Sequence, residues 1–305
     1  MSPELSVITC SHNPRPDYLR QVLDALKRQT LDQQHWEYLL IDNASDSPLE
    51  SGVDLSWHPN ARHVREEKLG LTHARLRGIS ESTGEVLVFV DDDNVLDADF
   101  LEQVARVADE WPRLGVWGGQ TRAGFEEPPP DWTRQYWSRL ALREFDQDRW
   151  SNLPTAHETM PNGAGLCVRK VVGEYYAEAH ASGQREVLMD RVGNSLVSGG
   201  DSDIAICACD LGLGMGLFTS LKLTHLIPAD RLTEEYLVRL VEGLAYSTLV
   251  LNSFRPSNGS TPPRNWATSA ADFARLLIRD RRERRFFRAV RKGERKAAEL
   301  LARRG

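Results

Sequence analysis

An α/β fold with a mostly parallel central sheet flanked by helices is the class that this sequence predicts. Three observations carry that prediction. Strand-like and helix-like patterns alternate over roughly the first 120 residues, the signature of βαβ units. One strand, Val86-Leu87-Val88-Phe89-Val90, is apolar on both of its faces and rich in β-branched residues, as a strand covered by helices on either side must be. That strand runs straight into Asp91-Asp92-Asp93-Asn94, so three carboxylates stand at its carboxyl end, where open α/β sheets place their ligand crevices.

In order along the chain, Leu5 to Cys10 reads as a first strand and Ser11-His12-Asn13-Pro14 as a polar turn. Leu19, Val22, Leu23 and Leu26 then recur at helical spacing behind Pro16 and Asp17, which suit a helix start. Trp36 to Ile41 is a second strand, ending in Asp42-Asn43-Ala44-Ser45-Asp46. A third lies around Arg62-His63-Val64 and leads through Lys68-Leu69-Gly70 into a helix from Leu71 to Ser82. The aspartate-tipped strand is the fourth; a helix from Asp97 to Glu110 follows, then a fifth strand at Leu114 to Gly119.

The rhythm then breaks. Pro128, Pro129 and Pro130 exclude a central strand or a helix interior. The aromatic-rich stretch from Phe125 to Trp150 is either a loop or helix beside a ligand or a set of anchors fixing the Pro-rich segment to the core. Asn162 to Val168 reads as a Gly-opened strand, Ser198 to Leu211 as a turn entering a helix, and Phe218 to Leu226 as one or two short strands stopped by Pro228. Leu232 to Phe254 is helical with Thr233 as cap, and Ser257 to Asn265 is a Pro/Gly/Ser linker. No internal repeat is present.

Composition narrows the class. With 41% hydrophobic and 27% charged residues among 305, the chain has the make-up of a water-soluble globular protein. No segment offers the ~18–20 uninterrupted apolar residues of a membrane span. The opening Met1-Ser2-Pro3-Glu4 lacks the basic and apolar regions of a secretory signal, so a cytoplasmic setting is expected. Four scattered cysteines without zinc-like pairing fit free thiols in a reducing compartment. The net charge of −6 conceals an asymmetry: residues 275–304 hold thirteen Lys/Arg against four Asp/Glu (+9), leaving −15 for the remainder. So acidic a body argues against nucleic acid as a partner.

The aspartate cluster carries the chemistry. Carboxylates this close repel one another unless a cation sits among them. Hard divalent ions such as Mg²⁺ or Mn²⁺ favour oxygen ligands and often share them with nucleotide phosphates. A solvated strand-to-helix turn, with Asp97 or Asp99 capping the helix, is the alternative reading of the same residues.

Five segments in order bear a resemblance. They are Ser6 to Asn13, Leu40 to Asp46, Gly70-Leu71-Thr72-His73-Ala74-Arg75, Val88 to Asn94, and Gly199-Gly200-Asp201-Ser202-Asp203-Ile204-Ala205. In these, over about residues 3–230, the chain resembles the family-2 glycosyltransferases of the nucleotide-diphospho-sugar transferase (GT-A) fold. The resemblance implies an inverting, metal-dependent transfer of a sugar from a nucleotide-diphosphate donor, a UDP-sugar by family prevalence, to a hydroxyl of a saccharide or lipid-linked saccharide in bacterial cell-surface glycan synthesis. It implies a donor half at 1–120, an acceptor and catalytic half at 121–230, and a helical extension with a basic tail at 231–305.

Residue by residue, the resemblance puts Thr9, His12 and Asn13 beside the nucleoside, with Asp42 and Asn43 at the base. Arg75 approaches base or phosphates; a surface ion pair is its alternative. In the Asp-x-Asp signature, Asp91 orients the loop, Asp92 meets the ribose and Asp93 holds Mn²⁺ or Mg²⁺. His225 matches a late histidine that reaches the metal or diphosphate, though a structural hydrogen bond would also account for it. Asp201 matches the general base, and a helix N-cap is the competing role. The family more often has Glu-Asp-x-Asp where this chain has Gly200-Asp201-Ser202-Asp203, which leaves Asp203 as a second candidate on the acceptor side. Asn162, Gly163, Ala164 and Gly165 match a small-residue segment that admits the acceptor, unless the glycines serve only a turn.

Two rival functions fit the same fold. A sugar-nucleotide pyrophosphorylase would need a Gly-rich loop after the first strand, where this chain has Ser11-His12-Asn13-Pro14-Arg15-Pro16. A catalytically silent nucleotide-sugar-binding partner subunit would have no need of Asp201. The tail, with Phe273, Leu276, Leu277, Phe286, Phe287, Val290, Leu300 and Leu301 among its arginines, reads as a basic amphipathic helix broken near Gly293. Such a helix suits an anionic lipid surface, or packing onto the acidic body or a second copy of the chain.

Overall fold

The computed structural model describes residues 3–185, 189–191, 196–255 and 280–303. The expected linker at 257–265 and the apolar positions Phe273, Leu276 and Leu277 lie outside the described residues.

The chain divides into two compact units. The first, residues 1–188 and 200–229, carries the sheet. Its opening elements are β1 (Leu5–Ser11), α1 (Pro16–Lys27), β2 (Trp36–Asn43), β3 (Ala61–Glu66), α2 (Leu71–Glu81) and β4 (Val86–Phe89). Next come β5 (Asn94–Leu96), α3 (Phe100–Glu110), β6 (Leu114–Phe125), β7 (Arg149–Ser151), β8 (Leu166–Arg169), α4 (Lys170–Ala181), α5 (Gly200–Asp210) and β9 (Gly214–Ile227). The strand order is β3-β2-β1-β4-β8-β6-β9-β5, with β7 pairing β9 off this path.

The four strands read most directly from the sequence, β3-β2-β1-β4, are all parallel. Beyond β4 the sheet is mixed. β8 enters antiparallel between β4 and β6, so the expected fifth strand runs parallel to β4 without touching it. It is also longer than expected, reaching Phe125 along β9. The anticipated short strands near 218–226 are one long strand, β9, and the Pro-rich stretch opens a 3-10 helix over Asp131–Leu140.

Helices cover both faces of β1, β2 and β4, which is why these strands are largely apolar and buried, whereas the edge strand β3 is mostly half-buried. Val7, Ile8, Leu39, Leu40, Leu87 and Val88 are all fully buried. Glu37 interrupts that pattern, and its carboxylate is satisfied internally. It accepts from Ser6 Oγ at 2.6 Å and from the Thr83 amide at 2.6 Å.

His58, after β2, is stacked among aromatic rings, 4.1 Å from Trp36 and 5.4 Å from Trp57 between centroids. Its Nδ1 accepts the Asn60 amide at 3.1 Å, so the neutral ring carries its proton on Nε2. Burial pushes its pKa down to about 4. Between the ordinary histidine value near 6.5 and about 4, the unfolded chain binds a proton that the folded protein refuses, so stability falls as pH falls through this window. The expected contribution is ~3 kcal/mol. Denaturant titrations at pH 7 and pH 4.5 should show a smaller stability difference for His58→Asn than for wild type. Equal differences would place the effect elsewhere.

The second unit comprises residues 189–199 and 230–305 and contains α6 (Glu234–Ser253) and α7 (Arg281–Ala302). Thr233 caps α6 through its hydroxyl, as expected, accepting from the Tyr236 amide. Asp280 and Glu283 form a reciprocal capping box at the start of α7. The expected break near Gly293 does not occur. The helix runs through it because Gly293 is where α7 meets α6: a Cβ there would come 2.2 Å from the Glu242 carbonyl oxygen. Phe286, Ala289, Gly293 and Ala297 form the buried face. Glu234 accepts from Arg282 and Arg285, and Glu242 from Lys292 and Lys296, which ties the two helices along one flank.

Candidate active site

The carboxyl ends of β1, β2 and β4 lie side by side because their parallel registers align Ser11 with Asp42 and Ile8 with Phe89. Chain direction therefore delivers the polar residues that follow each strand to one edge. Ser11 donates its hydroxyl to the Asp92 carboxylate, joining the tips of β1 and β4. His12 Nδ1 donates to the Asn43 carbonyl at 2.8 Å, and Asn13, with φ +48°, exchanges hydrogen bonds with Asp46. A cleft of about 710 Å³ opens beside Asn13, between α1 and the 45–54 loop. Thr9 is fully buried, and its hydroxyl has no hydrogen-bond partner among the described residues.

Asp42 and Asn43 are more deeply engaged than their sequence positions suggested. Asp42 accepts from the amides of Ser45 (3.1 Å) and Leu49 (3.0 Å) and from Arg65 Nη1 (2.7 Å). Burial raises its pKa, but the bonds from Ser45, Leu49 and Arg65 outweigh that and leave it below the ordinary value. Asn43 accepts from the Gly70 amide and donates to the Lys68 carbonyl, both at 2.8 Å, so its amide shapes the entry to α2.

Arg75 is no surface residue. It is 4% exposed, with its guanidinium carbon 6.0 Å from the centre of the Phe89 ring. It reaches Gly163: a Cβ on that residue would lie 3.0 Å from Arg75 Nη2 and 3.4 Å from Asp201 Oδ2. The chain therefore lacks a side chain at Gly163, where Arg75 and Asp201 converge, and Ala164 and Gly165 lead on toward β8. Asp201, at the start of α5, accepts the Gly163 amide on Oδ2 and the Ser202 amide on Oδ1, each at 2.8 Å. Both oxygens are thereby oriented, and each retains a second lone pair. Asn162 donates to the Ala141 carbonyl at 3.2 Å.

Asp203 sits elsewhere. Only 1% exposed, it pairs with Arg185 Nε at 2.8 Å on the inner side of α5. Two residues along a helix turn a side chain by about 200°, so Asp201 and Asp203 point to opposite sides, and the expectation that Asp203 faces an acceptor does not match this burial.

Asp93 and His225 come together across β5 and β9, whose register pairs Asn94 with His225. The Asp93 main-chain carbonyl accepts the Leu226 amide at 2.8 Å, and Asn94 Nδ2 donates to Asp93 Oδ1 at 3.0 Å. His225 Nδ1 lies 3.1 Å from the Leu140 carbonyl, which can only accept, so this nitrogen carries a proton. The other nitrogen, Nε2, lies 3.3 Å from Asp93 Oδ2. A lone pair facing a carboxylate needs positive charge between them, supplied by a proton on Nε2 or by a metal ion. Among the described residues, no three His, Cys, Asp or Glu side chains group closely enough to cage an ion. The pair by itself offers at most two side chains to a cation.

Sequence reasoning missed Arg143. It lies in the 141–148 segment, which carried no readable motif, and is brought in by a bridge between Thr121 and Arg143. Its Nη1 donates to the Met160 carbonyl at 2.7 Å. Burial lowers its pKa, and the nearby charge of Asp201 opposes that shift. Arg143 also lines a cleft of about 640 Å³ with Gln120, Glu144, Asp146, Arg149 and Glu158.

Strand tips carrying carboxylates, an oriented aspartate beside a glycine gap, and a carboxylate–imidazole pair make up the candidate site, and comparison with known proteins places the chain itself. The model of the family described as Glycosyl transferase family 2 matches residues 6–167, just over half of the chain. The chain belongs to glycosyl transferase family 2. That match includes the β1, β2 and β4 tips and the 162–165 segment, and ends before Asp201 and His225. EpsH of Bacillus subtilis is 28% identical over 109 residues, covering 35% of this chain and 31% of EpsH. Polypeptide N-acetylgalactosaminyltransferase 5 of Caenorhabditis elegans is 36% identical over 95 residues, covering 29% of this chain and 15% of that protein. The match thus spans less than a third of the length of either relative.

Among solved structures, S. aureus TarS residues 1–349 superpose with a TM-score of 0.53 at 14% identity, covering 98% of this chain and 92% of that one. The same protein in complex with UDP-GlcNAc gives a TM-score of 0.55 at 12% identity, with coverage of 98% and 92%. At such identity the likeness establishes the fold, which is GT-A.

Proposed function

We propose that this family-2 member is an inverting, metal-assisted glycosyltransferase that uses a UDP-sugar and transfers to a hydroxyl of a saccharide or lipid-linked saccharide. The observation that carries this reading is the doubly held Asp201 carboxylate beside the Gly163 gap, on the same sheet edge as the aspartate-tipped β4. A binding module has no need of an oriented base, and the turn after β1 lacks the glycines of a pyrophosphorylase loop. TarS, of the same fold, has been solved with UDP and with UDP-GlcNAc, which supports uridine as the nucleoside.

In this mechanism Thr9, His12, Asn13, Asp42 and Asn43 form the nucleoside side of the site, with Asp42 and Asn43 acting largely by shaping its loops. Asp92 contacts the ribose, Asp91 orients the loop, and Arg75 offers positive charge to the diphosphate. Asp93 and His225 would hold Mn²⁺ or Mg²⁺, and the carboxylate–imidazole pair fits such an ion. When bound, the ion neutralises charge on the departing diphosphate. Asp201 takes the proton of the acceptor hydroxyl. The acceptor oxygen then attacks the anomeric carbon from the face opposite the nucleotide, the new C–O bond forms, and the nucleoside diphosphate leaves with the electrons of the old one. Asn162 to Gly165 and Arg143 line the acceptor approach. A cytoplasmic setting and a role in cell-surface glycan assembly belong to the same reading, as the family resemblance implies.

Calorimetric titration with UDP, GDP and dTDP, each with Mn²⁺ and with EDTA, tests the donor site. UDP should bind in Mn²⁺ and lose affinity in EDTA. Asp93→Ala should weaken binding on the order of tenfold or more and remove the difference between the two conditions. Unchanged metal-dependent affinity in Asp93→Ala would take this residue out of the site, and a folded protein that binds none of the three nucleotides would overturn the donor assignment.

A further inference from the structure

The basic tail anticipated from the sequence resolves in α7 into two faces with different fates. Phe286, Ala289, Gly293 and Ala297 are spaced 3, 4 and 4 residues apart and are buried, so the apolar stripe is spent on packing against α6. Arg282, Arg285, Lys292 and Lys296 reach the α6 glutamates Glu234 and Glu242. On the opposite side, Arg281, Arg284, Arg288 and Arg295 follow one another at intervals of 3, 4 and 7, and all four are exposed. Arg295 stands 3.9 Å from Glu299 one turn on. At about 1.5 Å per residue this stripe is roughly 21 Å long, and the capping box at Asp280 and Glu283 keeps its first turn helical.

We propose that this outward stripe of α7 docks the protein on an anionic lipid bilayer by electrostatic attraction, without inserting the helix. Two features select this occupant. The outward side of α7 carries only cations between Arg281 and Arg295, which matches the negative surface of an anionic bilayer. And the sequence outside residues 275–304 carries −15, which argues against a nucleic acid, whose phosphates would otherwise suit the same arginines. Because the Phe286–Ala297 stripe is already buried, the contact rests on charge, which makes the attachment reversible and salt-sensitive. The proposal goes beyond the transferase reading and does not depend on it; if both hold, the stripe brings the enzyme to the surface where lipid-linked acceptors reside.

Co-sedimentation of the full chain with vesicles tests it. Wild type should bind phosphatidylcholine vesicles containing 30 mol% phosphatidylglycerol at 0.1 M NaCl, fail to bind pure phosphatidylcholine, and be released by 0.5 M NaCl. Each basic side chain near such a surface strengthens binding about fivefold, so the triple variant Arg281→Gln/Arg284→Gln/Arg288→Gln should bind on the order of 100-fold more weakly. Its helical circular dichroism should match wild type. Arg139→Gln, at a basic position outside the second unit, serves as a control that should bind like wild type. No binding of wild type to the anionic vesicles, or equal binding of the triple variant, would overturn the proposal. So would competition in which duplex DNA displaces the vesicles and its own binding is lost in the triple variant. Nucleotide titration of the same samples separates this outcome from failure of the donor site.

Discussion

Asp201→Asn should abolish sugar transfer while leaving donor binding intact. In the proposed mechanism Asp201 serves the acceptor: its oxygens are held by the Gly163 and Ser202 amides, and none of its observed hydrogen bonds reaches the β1, β2 or β4 tips. Removing a positioned base lowers rate by ~10²–10⁴-fold, so the expected result is loss of nucleoside-diphosphate release in an acceptor screen with unchanged nucleotide affinity by calorimetry. The amide brings a complication that geometry makes explicit. Asn has one oxygen to offer to two backbone donors, so one N–H would face an NH₂ group, at a cost of roughly 1–3 kcal/mol if that donor stays buried. Asp201→Ser, which relieves this clash, should be equally inactive. Wild-type transfer rates in both variants would remove Asp201 as the base and leave it an N-terminal helix residue.

Arg185→Ala should be among the most destabilising single substitutions in the first unit. Arg185 and Asp203 face each other at 2.8 Å with side chains 5% and 1% exposed, so deleting the cation breaks an ion pair held in the interior. Breaking a buried pair from one side typically costs ~3–5 kcal/mol. In a unit of this size that corresponds to a fall in melting temperature of roughly 10 °C. The double variant Arg185→Met/Asp203→Leu should recover most of the loss, because the pair's own attraction is largely offset by the desolvation of both charges. A loss below ~1 kcal/mol in Arg185→Ala would mean that water reaches the pair. Unlike Asp201→Asn, these variants should change stability rather than the nature of the reaction.

Asp201 and Asp203 show where sequence reading stops. Both looked like candidates for the base, since each is an aspartate in the first turn of the same helix. Only the surroundings separate them: a glycine gap and two amides for one, a buried arginine eighteen positions upstream in the chain for the other. Likewise His225 was legible as a residue type at the end of a strand, but its partner depended on the antiparallel register of β5 with β9, and β5 is too short at three residues to announce itself. Arg143 gave no signal at all, because its place beside Asp201 comes from an isolated bridge to Thr121 rather than from any local pattern.

What the sequence determined by itself were the features set by neighbours in the chain. The apolar runs of β1, β2 and β4, the turn residues after them, the helical spacing of α1 and the cap of α6 follow from side-chain periodicity and local hydrogen bonding. Parallel strands then necessarily deliver Thr9, Asp42 and Asp93 to one edge. Tertiary structure alone decided the rest. It inserted β8 between β4 and β6, buried Asp203, joined Asp93 to His225, and turned the apolar face of α7 onto α6 so that its arginines line the outside. These outcomes depend on which distant segments bury each other's surface. That choice is made by packing over the whole chain, and no window of neighbouring residues contains it.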